Sequence, residues 1–272
     1  MRHAAMKVAE RLLPKTLRGQ LHRRRFFRTR GWRNLHWGVF DSFEAANAFS
    51  REHGEPPRFD MDQQRWLADK QRLMAHDYPM LFWLERLLTS PEGQRFERVC
   101  DLGGSVGVSY LALSPYLSLP PQLVWEVCEL PDVAEFGRKV ASERGMQQHL
   151  HFSTDMGQAL QGADILFTAG TIQYIDEPLE TLLGAAAKPP RHVFINRLPL
   201  TTGSTFVTLQ NSGVAVHPYR IRNDAEFVEA MNRLGYRVVD RWICLQNSTH
   251  IPLHPERTLE HFHGFYLRRD AA

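Results

Sequence analysis

The sequence lacks the features that would place it in a membrane or hold it together by cross-links. No apolar stretch in its 272 residues approaches the roughly 18 consecutive residues of a membrane span. The three cysteines, Cys100, Cys128 and Cys244, are far apart, and none belongs to a C-x-x-C pair. From these absences we expect neither an integral membrane protein nor a disulfide scaffold nor a zinc ribbon, and we expect a cytoplasmic location.

The sequence has an ordinary globular composition with an uneven distribution of charge. The net charge is only +3, but residues 1–33 contain eleven Lys and Arg and one acid, so the remainder is net acidic. Leu13, Leu17 and Leu21 recur at helical spacing around Pro14. This spacing predicts a short basic amphipathic helix that could lie on an anionic membrane surface. A solvated arm is the alternative, and we expect no nucleic-acid partner because no recognised binding motif accompanies the bases.

Helical patterns dominate residues 36–90. Asp41, followed three residues later by Glu44, predicts a capping box at the start of a helix. A second helical pattern runs over residues 62–88, and Pro79 is expected to kink or divide it. The predicted domains are a basic arm over 1–35, a helical lead-in over 36–90 and a third domain over 91–270.

Short apolar runs alternate with helical patterns in the third domain. This alternation predicts crossover units and a mostly parallel sheet in an α/β fold. The last two predicted strands, 236–244 and 264–267, follow one another without a long crossover and are expected to form a terminal antiparallel pair. The predicted parallel strands cover residues 98–102, 123–128, 150–153, 163–168 and 191–196.

A glycine-rich turn follows the first of these strands. Glycines at such a turn let the backbone approach a ligand where a side chain would collide. Ligands of open parallel sheets bind at the carboxyl ends of the strands. An acid at the start of the turn suits a ligand with a cationic end better than a pyrophosphate. The turn has the form D-x-G-x-S-x-G, and its predicted cofactor-binding residues are Asp101, Gly103, Gly104, Ser105 and Gly107.

This turn resembles the first motif of class I S-adenosylmethionine-dependent methyltransferases, (D/E)-x-G-x-G-x-G, with Ser105 at the middle glycine. The resemblance implies a Rossmann-like sheet and S-adenosylmethionine as the cofactor. Glu129 lies 22 residues beyond Gly107, where an acid can accept hydrogen bonds from both ribose hydroxyls; Glu126 is the alternative. By the same resemblance, Asp155 would contact the adenine amino group, although an acid after a strand is also a common helix cap.

Together with two further motifs, the turn resembles one methyltransferase family found in bacterial surface-polysaccharide gene clusters. The three motifs are W-G-x-F at Trp37, the D-L-G-G-S-x-G turn, and Gln173-Tyr174 shortly before Asp176-Glu177-Pro178. The resemblance covers most of the chain, from about Trp37 to Leu267. It implies O-methylation of a sugar or glycan intermediate, in the cytoplasm or at the inner membrane, with a small-molecule or glycan acceptor.

Transfer to a sugar hydroxyl requires a base to take the hydroxyl proton. His217 is the candidate base, and Tyr174 and Arg197 are expected to orient the acceptor while Gln173 shapes the transfer site. A structural loop histidine before Pro218 is the alternative for His217.

Other classes of function have weaker support in the sequence. His261 and His263 are two residues apart, so on a strand both would lie on one face and could chelate a metal. No Cys or acid has convincing ligand spacing to them, so we expect no metal. Gly103-Gly104-Ser105-Val106-Gly107 matches the nucleophile elbow G-x-S-x-G formally, but the acid before the turn fits the methyltransferase better. A degenerate methyltransferase-fold scaffold and a nucleotide-sugar enzyme that uses NAD remain as alternatives.

Overall fold

The computed structural model describes residues 14–29, 34–53, 72–213 and 215–270. The chain divides into two compact units, each assembled from separate stretches of sequence. The four-stranded unit contains the described residues up to 53, Thr201–Asn223 and Ser248–Glu260. The seven-stranded unit contains the described residues from 72 to Leu200, Asp224–Asn247 and His261 to 270. The predicted domain boundaries stay a prediction.

The seven-stranded unit is built on a mostly parallel sheet, which confirms the predicted fold class. Its strands occur in the order β10-β11-β6-β5-β2-β3-β4. The five strands from β2 to β6 are parallel to one another, whereas β11 pairs antiparallel with both β6 and β10. The strands are β2 (Arg98–Leu102), β3 (Val124–Cys128), β4 (Leu150–Ser153), β5 (Ile165–Ala169), β6 (His192–Leu198), β10 (Tyr236–Cys244) and β11 (Phe262–Arg269).

The order of the strands creates a switch point between β2 and β5. From β2 the chain adds β3 and β4 on one side, then crosses to β5 and β6 on the other side. The connections that leave the carboxyl ends of β2 and β5 therefore diverge and leave a crevice between them. Open α/β sheets bind their ligands in a crevice of this kind. Both ends belong to the seven-stranded unit.

Helices flank this sheet and bury their apolar faces. One large cluster combines Leu166 and Phe265 of the sheet with Leu160, Leu183 and Phe227 of three helices. Among the described residues, no helix combines the length and apolar character needed to cross a membrane. The helices of this unit are α3 (Tyr78–Leu88), α4 (Val108–Leu113), α5 (Pro131–Glu143), α6 (Met156–Leu160), α7 (Leu179–Ala185) and α8 (Asp224–Arg233).

The four-stranded unit has the strand order β1-β8-β9-β7. Its core contains Phe26, Phe43, Val207 and Leu209, so both helices of the unit contribute to one apolar cluster with the sheet. The predicted basic helix after Pro14 is confirmed as the first helix. The elements of this unit are α1 (Lys15–Arg28), β1 (Leu35–Phe40), α2 (Phe43–His53), β8 (Phe206–Asn211) and β9 (Val216–Asn223), with β7 (Leu200–Thr201) at the passage from the other unit.

The predicted helical lead-in needs two corrections, and Pro79 takes one of its two predicted roles. It begins with strand β1, which pairs antiparallel with β8. The next helix begins at Phe43, and its cap is Ser42, whose Oγ accepts the Ala45 N–H at 3.1 Å, rather than Asp41. Pro79 lies in the first turn of α3, where its missing N–H costs no hydrogen bond, so of the two predicted roles it divides the helical pattern and does not kink a helix. The helical pattern predicted for 62–71, like residues 1–13 and 30–33 of the basic arm, lies outside the described residues.

His36 makes the stability of the four-stranded unit depend on pH. Its side chain is buried, and its Nε2 donates to Asn34 Oδ1 at 2.9 Å, because that oxygen also accepts from Gln210 Nε2. Burial, followed by the charge of His250, lowers the pKa of His36 to about 3. In the unfolded chain His36 therefore binds a proton near pH 6.5, whereas in the folded chain it stays unprotonated there. The free energy of unfolding consequently falls as pH drops below that value.

We expect the free energy of unfolding to fall by about 2 kcal/mol from pH 7 to pH 5 through His36 alone. The measurement is urea unfolding of the wild type and His36→Gln at both pH values. The variant starts from a lower stability but loses about 2 kcal/mol less over this interval. Equal losses in the two proteins would contradict the assignment to His36.

Candidate functional site

The glycine-rich turn after β2 lies at the switch point of the seven-stranded sheet. Gly103 and Gly107 adopt left-handed backbone angles, with φ of +69° and +85°, which favour glycine. A Cβ at Gly104 would lie 2.3 Å from Asp101 Oδ2, so this position has no room for a side chain. The turn is thus held against the Asp101 carboxyl group by backbone geometry that the glycines permit.

Asp101 is fully buried at the end of β2. Its Oδ2 accepts the Trp125 indole N–H at 3.0 Å, whereas Oδ1 has no donor of ordinary hydrogen-bond geometry among the described residues, with the Ser109 side chain as a neighbour of the carboxyl group. Burial, together with the charge of Glu129, raises the pKa of Asp101 to about 7, although hydrogen bonds from the Trp125 and Ser109 side chains oppose this rise. A buried acceptor without a donor is costly, and the site is therefore suited to a cationic hydrogen-bond donor.

Glu129, at the end of β3, reaches the same turn. Its Oε1 accepts the Ser105 N–H at 3.1 Å, and its Oε2 accepts the Leu130 N–H at 2.9 Å. Burial raises the pKa of Glu129, and these two backbone hydrogen bonds oppose the rise. The alternative acid, Glu126, lies within β3 and forms an ion pair with Arg98 at 3.2 Å. Of the two acids, the structure therefore brings only Glu129 to the glycine turn.

Ser105 adopts a left-handed conformation, with φ of +55°, at the position where the resembling motif has glycine. An L-residue in this region costs roughly 1–2 kcal/mol, and a β-branched residue costs more. Ser105 therefore keeps the left-handed backbone of the turn at a cost in conformational free energy.

We expect Ser105→Gly to leave the free energy of unfolding unchanged or to raise it by up to about 1 kcal/mol. Relief of strain exceeds the extra chain entropy of glycine in the unfolded state. Ser105→Val is expected to destabilise the chain by about 2 kcal/mol because its branched Cβ tolerates positive φ poorly. Chemical denaturation of both variants checks the contrast, and equal stability of the two would contradict it.

Two threonines link the ends of β5 and β2. Thr168 Oγ1 donates to the carbonyl oxygen of Leu102 at 3.0 Å, and Thr171 Oγ1 donates to that of Gly103 at 3.2 Å. The turn after β5 is thereby fixed against the glycine turn. Neither threonine, nor Trp125, was predicted as a site residue, because a polar residue or a tryptophan in or beside a buried strand carries no sequence signal of a long-range hydrogen bond.

The residues of this unit that are predicted to contact the methyl acceptor lie in the turn after β5 and near the end of β6. Arg197 has a φ of +59° and donates from its guanidinium to the carbonyl oxygen of Ala169. Gln173 is buried, and its Oε1 has no partner among the described residues. Tyr174, in the same short turn as Gln173, is 38% exposed. Three of the four predicted catalytic residues therefore lie on the segments that follow or end β5 and β6.

Asp155 lies after β4 and caps α6. Its Oδ1 accepts the Gln158 N–H at 2.9 Å. This is the capping role that the sequence allowed as an alternative, and a contact of Asp155 with adenine stays a prediction.

His217 lies in the four-stranded unit. It belongs to β9 and pairs in register with Gln210 of β8, so the alternative of a loop histidine is wrong about the local structure. Burial lowers the pKa of His217, so the imidazole is neutral near pH 7. Its role as a general base stays a prediction.

His261 and His263, at the start of β11, are not arranged as a chelating pair. The rings of His261 and His263 lie 5.1 Å apart, and the Arg241 guanidinium contacts His263 Nδ1 at 3.1 Å. Within the part of the chain that the structure describes, no three or more His, Cys, Asp or Glu side chains are grouped so that they could hold a metal ion.

No family model and no curated protein matches the sequence. Among solved structures, the chain is similar to the mitomycin 7-O-methyltransferase MmcR, at 17% identity over 71% of this chain and 54% of that chain, with a TM-score of 0.43. It is also similar to the 1,6-didemethyltoxoflavin-N1-methyltransferase of Burkholderia thailandensis, at 16% identity over 77% of this chain and 83% of that one, with a TM-score of 0.48. A third similar structure is an O-methyltransferase family protein from Burkholderia thailandensis, at 13% identity over 80% of this chain and 65% of that one, with a TM-score of 0.47. The chain spans about half the length of MmcR, and its function has to follow from its own residues.

Proposed function

We propose that the chain is an S-adenosylmethionine-dependent methyltransferase. The observation that carries this proposal is the Asp101 carboxyl group, fully buried at the switch point with Oδ1 lacking a donor of ordinary hydrogen-bond geometry among the described residues. The α-amino group of S-adenosylmethionine is a cationic donor of the kind that would satisfy this oxygen. A dinucleotide fits less well, because the Asp101 charge would repel its pyrophosphate.

Glu129 and the glycines suit the neighbouring part of the same cofactor. Each Glu129 oxygen accepts one backbone N–H and keeps a further lone pair for a ribose hydroxyl. The absence of side chains at Gly103 and Gly104 lets the ligand approach the backbone. When bound, S-adenosylmethionine would supply a methyl group on a sulfonium, which is already an activated donor.

The protein's own task is then to hold an acceptor in line with that methyl group, an effect of position and orientation. The proposal assigns this task to Tyr174, Arg197 and Gln173. His217, in the four-stranded unit, stays the candidate base predicted from the sequence, and its lowered pKa keeps the imidazole neutral and able to accept a proton. O-methylation of a sugar or glycan in surface-polysaccharide biosynthesis is proposed from the sequence resemblance alone.

Calorimetric titration of the full chain with S-adenosylmethionine, S-adenosylhomocysteine and NAD tests the cofactor. Micromolar binding of the first two, without binding of NAD, is the expected result. Binding of NAD alone would support the nucleotide-sugar enzyme and overturn the proposal. Binding of none of the three compounds would also overturn the proposal. Binding without turnover on a panel of nucleotide sugars and lipid-linked glycans would favour the scaffold over the sugar methyltransferase.

The exposed face of α1 supports a proposed contact with anionic membranes. The helix has six Lys and Arg and no acid, and buried Phe26 fixes one side of it in the core of the four-stranded unit. Leu17 and Leu21 are 42% and 41% exposed, and Arg24 and Arg28 are exposed as well. Apolar and basic side chains on one exposed surface are typical of helices that lie on anionic lipid. In this proposal the enzyme is cytoplasmic and peripheral at the inner membrane.

We expect Arg24→Glu/Arg28→Glu to weaken binding to vesicles that contain phosphatidylglycerol by at least about 30-fold, since each base near an anionic surface contributes about 1 kcal/mol. The measurement is co-sedimentation, with vesicles of phosphatidylcholine alone as the lipid control. Arg138→Glu/Arg144→Glu on and after α5 is the matched control and should bind like the wild type. Equal binding of all three proteins, or binding that salt does not weaken, would contradict an electrostatic contact.

A further inference from the structure

Arg197 has no carboxylate partner among the described residues. Arg98, Arg191 and Arg241 of the same unit each form an ion pair with an acid. The guanidinium of Arg197 instead donates to one carbonyl oxygen, that of Ala169, and its Nε is buried without a partner. A partly buried cation with an unused donor costs free energy that a ligand of opposite charge would recover.

The backbone holds this guanidinium in place at some cost. Arg197 has a φ of +59°, a conformation that L-residues rarely adopt and that clusters at ligand clamps. A Cβ at Gly170 would lie 3.2 Å from Arg197 Nε and 3.3 Å from both Cζ and Nη2. The flat side chain therefore packs against the bare backbone of the turn after β5. No ion pair accounts for this placement.

Asp101 is the acid of this site whose pKa responds to the charge of Arg197. Asp101 lies at the end of β2, and β2 is the neighbour of β5 in the sheet. The positive charge of Arg197 is near enough to oppose the rise in the pKa of Asp101. Yet Arg197 and Asp101 are not within ion-pair distance, so each keeps capacity for a ligand group of the opposite charge.

We infer that Arg197 is the anion-binding residue of this site, and that its ligand is a carboxylate or a similar small oxyanion. The planar guanidinium matches a carboxylate with two parallel hydrogen bonds, which a lysine would not. The carboxylate has two possible sources, the amino-acid end of S-adenosylmethionine or an acidic group on the methyl acceptor. The first source rests on the proposed function, whereas the anion site itself does not.

The experiment compares S-adenosylhomocysteine with its decarboxylated analogue, which lacks only the carboxylate, on the wild type and Arg197→Asn. Asparagine tolerates a positive φ better than most residues, so the variant removes the charge with little added strain. Arg138→Asn, at an exposed site on α5, is the matched control. Circular dichroism and thermal unfolding establish that each variant is folded.

If the cofactor supplies the carboxylate, Arg197→Asn weakens S-adenosylhomocysteine binding by about 10–100-fold and leaves the analogue unaffected. If the acceptor supplies it, the variant binds both compounds like the wild type. In that case, sodium acetate or benzoate stabilises the wild type above sodium chloride at equal ionic strength, and Arg197→Asn abolishes the shift in Tm.

The anion site would be overturned if Arg197→Asn changed neither the binding of the two nucleosides nor the Tm shift with acetate or benzoate. This holds even if the wild type binds S-adenosylhomocysteine normally. Failure of the wild type to bind either nucleoside would instead overturn the proposed cofactor, and the Tm shift with acetate or benzoate would still report on Arg197. The two failures are therefore distinguishable.

Discussion

Asp101→Asn should abolish most of the affinity for S-adenosylmethionine, with a loss of about 100-fold or more. The asparagine has the same shape and can still accept the Trp125 indole N–H, so packing is preserved. It lacks the negative charge that a buried ammonium group requires, and truncating one member of a buried charge pair costs roughly 2–5 kcal/mol. Titration calorimetry measures the loss directly.

The same replacement should raise the stability of the chain. With its pKa raised to about 7 by burial, the folded Asp101 keeps a proton that the unfolded chain releases near pH 4. Stability is therefore lost as pH rises between those values, and at pH 8 Asp101→Asn is expected to recover up to about 4 kcal/mol. A variant that is more stable but no longer binds cannot owe its loss of binding to misfolding.

The pH dependence of binding gives a second readout. Only the ionised Asp101 attracts the cofactor, so wild-type affinity should fall by up to tenfold per pH unit below about pH 7 and level off above it. In Asp101→Asn this slope should disappear. Asp240→Asn is the matched control, because Asp240 Oδ2 also accepts an indole N–H, from Trp83 at 2.6 Å, but lies on the edge strand β10. Wild-type binding by Asp101→Asn would contradict the role assigned to this carboxylate.

Gly103→Ala should destabilise the seven-stranded unit by about 2–4 kcal/mol and weaken cofactor binding at least tenfold. Two effects add: the strain of a positive φ, about 1 kcal/mol, and overpacking, about 1–3 kcal/mol. The new Cβ would meet Thr171 at 2.1 Å from Cγ2 and 2.6 Å from Cβ. Because the Thr171 Cβ is itself too close, rotation of that side chain cannot relieve the contact, and the turn has to move.

Gly145 separates the two effects. Its φ of +67° nearly equals the +69° of Gly103, but a Cβ there would meet nothing within 4 Å. Gly145→Ala should therefore lose only about 1 kcal/mol, with unchanged binding. Thr171→Gly should partly restore both properties to Gly103→Ala, which a double-mutant cycle measures. Equal losses in the two alanine variants would show that strain alone matters.

The sequence predicted the strands of the seven-stranded sheet well because their signals are local. Three strand ranges, 98–102, 150–153 and 236–244, agree with the structure at both ends. Strand β1 was missed because Leu35–Phe40 is short and contains Gly38, and because its pairing with β8 joins residues far apart in the sequence. Propensity over six residues cannot register a partner at that distance.

The candidate site could be predicted in outline only. Spacing along the chain predicted Asp101, the glycines and Glu129, since motifs at the ends of neighbouring parallel strands meet at one edge. It could not reveal that Ser105 adopts a positive φ, or that, within the described ranges, Asp101 Oδ1 lacks a donor of ordinary geometry and Arg197 forms no ion pair. Those properties depend on burial and on the exact course of the backbone, which a linear pattern does not encode.

The separated stretches of the four-stranded unit have a consequence for how this chain folds during synthesis. β1 ends at Phe40, and its partner β8 ends at Asn211. A ribosome that adds about 5–20 residues per second needs about 10–35 s to cover the roughly 170 residues between them. Throughout that time Phe26, Phe43 and the apolar side of β1 lack the strand that completes their core. The nascent chain thus presents a hydrophobic segment to chaperones for tens of seconds, and slowed translation between β1 and β8 should lower the yield of native protein more than slowed translation after β9.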